Sequence, residues 1–132
     1  MPDGADPVDY RADGFVRAWK AATTDGVPIV VVRDNPVFPL EFTECAYAHT
    51  SDGVCSVSRA EAVHEDAAAV AASRIDQGQV IDLTDFFCNH ECPAVIGGAV
   101  VARDAGHLTR TFARTLTPYI ERELLAFLRD RA

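Results

Sequence analysis

The order of patterns along this chain predicts an α/β domain built around a mainly parallel sheet. Three observations carry that expectation. Helical and strand patterns alternate as helix–strand–helix–strand–helix, the order that builds a parallel sheet. One strand, Val27-Pro28-Ile29-Val30-Val31-Val32-Arg33, is an almost continuous apolar run, as expected of a strand covered on both faces. The candidate chemistry (Asp34-Asn35, Asp82 and the Asp104–His107 loop) falls after strands. Open parallel sheets bind ligands beyond the carboxyl ends of their strands.

Residues 1–13 are rich in Asp, Pro and Gly and read as a flexible lead-in, leaving residues 14–132 as the domain. Gly14 to Thr24 reads as a helix, with Phe15, Ala18, Trp19 and Ala22 on one face. Asp25-Gly26 ends it with turn residues. The Val27–Arg33 strand stops at Asp34-Asn35-Pro36, and a long loop follows to about Val57. Ser58 with Glu61 forms a capping box for a helix running to about Asp76, closed by Gln77-Gly78. Val80 to Leu83 is a second strand, followed by a cysteine-bearing loop from Phe86 to Pro93. Val95 to Val101 reads as a tight hairpin or bulge around Gly97-Gly98. Leu108, Phe112, Leu116, Ile120, Leu124 and Leu128 line a C-terminal helix. Pro118 either kinks that helix or starts a second one after Thr117.

At 132 residues and 48% hydrophobic, the chain suits one domain with a real core. A net charge of −8 argues against nucleic acid, whose phosphates need a basic stripe. It also argues against a polybasic attachment to anionic lipid. No apolar run reaches the length of a membrane span, and residues 1–13 lack the basic start and apolar core of a signal peptide. Four cysteines nevertheless fall as two local pairs around turns. Cys45 and Cys55 bracket a polar loop containing Asp52-Gly53, and Cys88 and Cys92 bracket three residues. Two disulfides are expected, which implies an oxidising, extracytoplasmic compartment. A chain cut from a longer exported protein reconciles the disulfides with the absence of a leader. Cys88, His90 and Cys92 with His49 or His64 could instead hold zinc, but the spacing fits no known zinc finger. Gly97-Gly98 lacks the lysine and helix of a phosphate loop, and no cofactor is expected.

The strongest chemical candidate is Asp104-Ala105-Gly106-His107. A carboxylate three residues before a histidine can accept its ring N–H, fix its tautomer and stabilise the imidazolium formed when it takes a proton. One loop can then supply two members of a Ser-His-Asp triad. On these four residues alone, Asp104 reads first as a helix cap with His107 solvated in its first turn, and it is the surrounding order of elements that raises the catalytic reading. Asp34 and Asn35 are weaker candidates for substrate binding, since Asp34 could simply cap the turn before Pro36.

Several blocks taken together carry a resemblance. They are Val30-Val31-Val32-Arg33-Asp34-Asn35-Pro36, the Cys45/Cys55 loop, Val80-Ile81-Asp82-Leu83, the Phe87-Cys88…Cys92 loop and Arg103-Asp104-Ala105-Gly106-His107-Leu108-Thr109. From about Phe15 to Leu128 the chain resembles the C-terminal half of the SGNH domain fused to acyltransferase-3-type membrane O-acyltransferases, within the SGNH/GDSL hydrolase superfamily. The resemblance implies a partial three-layer sandwich, flavodoxin-like, whose N-terminal half is missing. It implies that Asp104 orients His107 and that His107 is the general base. It implies an acyltransferase or esterase acting on acylated glycans of the cell envelope, with an acyl donor as the other partner. The family's Gly-Asp-Ser and oxyanion blocks are not found, and Ser51, Ser56, Ser58 and Ser73 stand in other contexts. The isolated chain is therefore expected to be inactive, and to need a complementing N-terminal segment or to self-associate. The alternative is a non-catalytic α/β module that binds a carbohydrate or a partner protein.

Overall fold

In the computed structural model, which describes residues 1, 3–23, 26–51 and 53–131, the first helix starts at an Asp-Pro pair. Asp6 accepts from the amides of Val8 (2.8 Å) and Asp9 (3.0 Å), and Pro7 takes the first helical position, where a missing N–H costs nothing. In chain order the elements are α1 (Pro7–Ala22), β1 (Ile29–Val32), α2 (Leu40–Ala48), β2 (Ser56–Ser58), α3 (Arg59–Ala62), α4 (Ala67–Ala72), β3 (Gly78–Ile81), α5 (Thr84–Phe87), β4 (Glu91–Pro93), β5 (Val95–Ile96), β6 (Ala99–Val100) and α6 (Arg110–Arg129). They divide into two units. The first comprises residues 1–34, 65–82 and 123–132, the second residues 35–64 and 83–122.

The first unit is a β–α–β arrangement with an added helix. β1 and β3 pair in parallel from Ile29↔Gly78 to Val32↔Ile81. α4 packs on both strands and α1 packs on α4. Residues 7–13 are thus helical and do not form a flexible lead-in. The expected face of α1 is also displaced. Phe15, Ala18 and Ala22 are exposed, and the buried residue is Ala12. Ala71 and Ala72 of α4 are buried as well, so small residues serve where these helices approach. Arg74 fastens the pair by binding Asp9, and Asp13 at 3.0 Å, from within the stretch read as lead-in. The expected turn residue Asp25 lies outside the described residues. At the strand ends, Arg33 reaches Asp82 at 3.2 Å and the Arg33 amide donates to the Ile81 carbonyl.

The second unit is mostly short elements. Its β2 and β4 pair antiparallel, with Val57 opposite Cys92. β5 and β6 form a hairpin across Gly97 and Gly98, both at positive φ (58° and 77°), as a two-residue turn of this kind requires. α2 fills part of the expected loop, burying Phe42, Thr43 and Ala46, and α5 and β4 fill part of the cysteine loop. Ser58 does cap a helix, accepting from the Glu61 amide, but that helix is only α3. A second cap, Asp66, accepting from Ala68 and Ala69, starts α4 separately. The expected single helix from Ser58 to Asp76 is therefore two.

The α/β class and a parallel pair are present, but the mainly parallel sheet is not. Among the described residues one two-stranded sheet is parallel and two are antiparallel. With one partner strand, β1 is half-buried and Val32 is exposed, so it is not the doubly covered strand its sequence suggests. β3 begins at Gly78 and ends before Leu83. α6 runs through Pro118 unbroken, so no second helix starts there. It buries Phe112 and Leu116, whereas Leu124 and Leu128 of the same stripe are exposed. No helix of the described residues is long and apolar enough to cross a membrane.

All four cysteines are paired as expected, Cys45 with Cys55 and Cys88 with Cys92, so none is left as a zinc ligand. Asp52, inside the first disulfide loop, lies outside the described residues. Arg59 holds the second loop by donating to the Cys88 carbonyl (2.9 Å) and by pairing with Asp85 (2.9 Å). Closing the ten-residue interval of Cys45–Cys55 contributes about 2–3 kcal/mol in the chain-entropy model. Intact mass of protein made under oxidising conditions is expected to be four hydrogens below that of the reduced chain. Peptide mapping checks the pairing; four free thiols or a retained zinc ion would contradict it.

Candidate active site

The site is a hairpin loop of the second unit. Its stem is the antiparallel bridge between Ala102 and Leu108, closed by the Arg103 amide donating to the His107 carbonyl at 2.8 Å. The stem stands on fully buried Val101, whose amide donates to Ala94 and whose carbonyl accepts from Thr109. Thr109 does two jobs. Its hydroxyl donates to the Val100 carbonyl and accepts from the Phe112 amide at 3.2 Å, capping α6. The loop is thereby fixed at both ends, by the buried Val101 backbone and by a helix cap.

Inside the loop, Asp104 does not cap α6. Its Oδ1 accepts from the amides of Gly106 (3.1 Å) and His107 (2.9 Å), which curls the loop back on itself. The same oxygen lies 2.7 Å from Nδ1 of His107. The expected acid–base pair is therefore brought together, three residues apart and in contact. The second oxygen, Oδ2, faces Arg103 Nε at 3.5 Å. The His107 hydrogen bond above all, then the Gly106 and His107 amides, hold the Asp104 carboxyl below its ordinary value, while partial desolvation opposes them. The carboxylate is thus ionised at neutral pH and able to keep the proton of His107 on Nδ1.

In the neutral ring, a proton kept on Nδ1 leaves the lone pair on Nε2. The His107 side chain is 70% exposed, and Nε2 makes no hydrogen bond among the described residues. Among the described residues no hydrogen bond joins a serine to Nε2. Ser56 donates to Glu91, Ser58 caps α3, and Ser73 donates to the Val70 carbonyl. Asp34 lies in the first unit, where its amide donates to Asp66 Oδ2 at 2.9 Å. Asn35 lies in the second unit, and its side-chain amide donates to the carbonyls of Pro36 (3.0 Å) and Gly106 (3.3 Å). The nearby Phe38 amide, which the sequence reading did not single out, donates to the Ala105 carbonyl at 2.8 Å.

A comparison with protein families places this loop in context. Residues 3–122 match the family described as the SGNH domain (fused to AT3 domains). This chain belongs to that family. Membership fits an acyltransferase- or esterase-type function, and the two disulfides fit an extracytoplasmic SGNH domain. The match begins within residues 1–13, so most of the stretch read as a lead-in belongs to the SGNH domain. No match was found among curated proteins or among solved structures.

Proposed function

We propose that this SGNH domain supplies the acid–base half of a serine-dependent acyl transfer or ester hydrolysis on O-acyl groups of cell-envelope glycans. The observation that carries the reading is the 2.7 Å contact of Asp104 Oδ1 with His107 Nδ1 in a member of this family. In the proposed chemistry a serine Oγ attacks the acyl carbonyl carbon, and its proton passes to Nε2 of His107. Asp104 stabilises the imidazolium, and hydrogen-bond donors hold the tetrahedral oxyanion. Collapse of the intermediate expels the alcohol, which leaves with the proton returned by His107. A glycan hydroxyl or water, deprotonated by the same nitrogen, then attacks the acyl-serine, and the second intermediate breaks the bond to Oγ, which takes back the proton from His107.

The serine and the oxyanion donors come, in this proposal, from a complementing segment. The domain is then the C-terminal part of a three-layer sandwich whose other strands come with that segment. Without that segment the chain self-associates. Its partners are an acylated glycan and an acyl donor, outside the cytoplasm.

The test is turnover of p-nitrophenyl acetate by the chain alone. It is expected to be no greater than that of a His107→Ala control, because nucleophile and oxyanion donors are each worth orders of magnitude. Clear turnover that disappears when Ser51, Ser56, Ser58 or Ser73 is replaced would place the nucleophile in this chain and contradict the proposal.

A further inference from the structure

The acid–base loop is held from outside by a segment that precedes it by about half the chain. Two consecutive peptide groups of the loop are each gripped on both sides. In the Ala105–Gly106 peptide, the carbonyl accepts from the Phe38 amide (2.8 Å) and the N–H donates to Asp104 Oδ1 (3.1 Å). In the Gly106–His107 peptide, the carbonyl accepts from Asn35 Nδ2 (3.3 Å) and the N–H donates to Asp104 Oδ1 (2.9 Å). A trans peptide points its C=O and N–H in opposite directions, so fixing the oxygen fixes where the N–H aims. An amide whose oxygen accepts a hydrogen bond is also a better donor through its nitrogen. Both peptides therefore deliver oriented, polarised N–H groups to the one carboxylate oxygen that receives the His107 ring.

The outer half of this grip is rigid. Pro36 is buried, and Phe38 is 2% exposed with its ring stacked on Phe42 of α2 at 4.3 Å. Two carbonyl oxygens accept from the Asn35 amide, so the position calls for NH2 donors. A carboxylate there would face two carbonyls. We infer that Asn35 is a positioning residue, which with the Phe38 backbone sets the Gly106–His107 peptide and through it the Asp104 carboxylate and the His107 tautomer. The inference rests on the acid–base reading of the loop, but its test needs neither substrate nor nucleophile.

The test compares the intact chain with Asn35→Asp and with the milder Asn35→Ala by NMR. Two quantities are read: hydrogen exchange at the Gly106 and His107 amides, and the ring 15N shifts of His107. In the wild type the neutral ring is expected as the Nδ1–H tautomer. In both variants those two amides are expected to exchange about five- to tenfold faster, as for the loss of one hydrogen bond. The ring is expected to move toward the Nε2–H form that free imidazole favours, with the amides of β1 and β3 unchanged. Asn35→Ala is the decisive variant if Asn35→Asp fails to fold, since it removes the donors without adding charge. Wild-type exchange and an unchanged tautomer in Asn35→Ala would overturn the inference. So would faster exchange throughout residues 35–64 and 83–122 with the tautomer unchanged, because that is loosened structure without positioning. A wild-type protein already in the Nε2–H form would instead count against the acid–base reading itself, which separates the two failures.

Discussion

If the proposed function holds, Asp104→Asn is expected to lower kcat by about 10⁴-fold, with little change in KM, once the chain is combined with the proposed serine-bearing segment. The asparagine oxygen can still accept from the Gly106 and His107 amides, so the loop keeps its shape. What is lost is charge and tautomer. A neutral amide cannot stabilise the imidazolium, and its NH2, if turned to Nδ1, makes Nε2 the protonated nitrogen and useless as a base. The depressed pKa of Asp104 adds a pH dependence with a definite sign. Its folded value lies below its unfolded one, so the folded state is favoured above the unfolded carboxyl's pKa. That contribution is lost as pH falls through the lower, folded value. Wild-type stability should therefore decline in acid through this group, and Asp104→Asn should remove that part of the decline. Steady-state kinetics and acid unfolding check both; a kcat within about tenfold of wild type would contradict the role assigned to Asp104.

The largest structural effect is expected from Gly78→Ala. Gly78 opens β3 directly after the turn that leaves α4, donating to the Ile75 carbonyl at 3.0 Å and pairing with Ile29. A Cβ built there would lie 2.0 Å from the Ala72 carbonyl oxygen and 2.8 Å from the Ile75 side chain. The first of these is backbone and cannot rotate away. The turn or the strand must shift, and with it the parallel register of β1 and β3. The cost is expected at about 3 kcal/mol, the upper end for overpacking, or roughly a 10 °C fall in Tm. Thermal unfolding checks this, and a Tm within roughly 2 °C of wild type would contradict it.

These two positions also mark what could be read in advance. The contact of Asp104 with His107 was legible because the two stand three residues apart in one loop, so no knowledge of the fold was needed. The grip of Asn35 and Phe38 on that loop was not, because it joins residues 71 apart through peptide groups that carry no side-chain signal. The disulfides were legible as local pairs. The β2–β4 ladder that runs between them was not, since three-residue strands show no periodicity. Asp6-Pro7 and Asp66 were readable helix starts, but an acidic, Gly- and Pro-bearing N-terminus masked the first. The long alanine run masked the second, because alanine favours helix wherever it stands. α2 has Pro39 at its cap and no side-chain cap bond, so it begins without a recognisable start. The exposure of Val32 follows from the number of paired strands, which a strand's own residues do not specify.

The central claim is that His107 is the base of a serine acyl transfer whose nucleophile lies outside this chain. The most direct measurement joins or mixes the chain with a segment carrying the family's Gly-Asp-Ser block and follows ester turnover with and without imidazole. The account predicts that activity appears only with both parts, falls by at least about 10³-fold in His107→Ala, and is partly restored by added imidazole. Undiminished turnover in His107→Ala would contradict it.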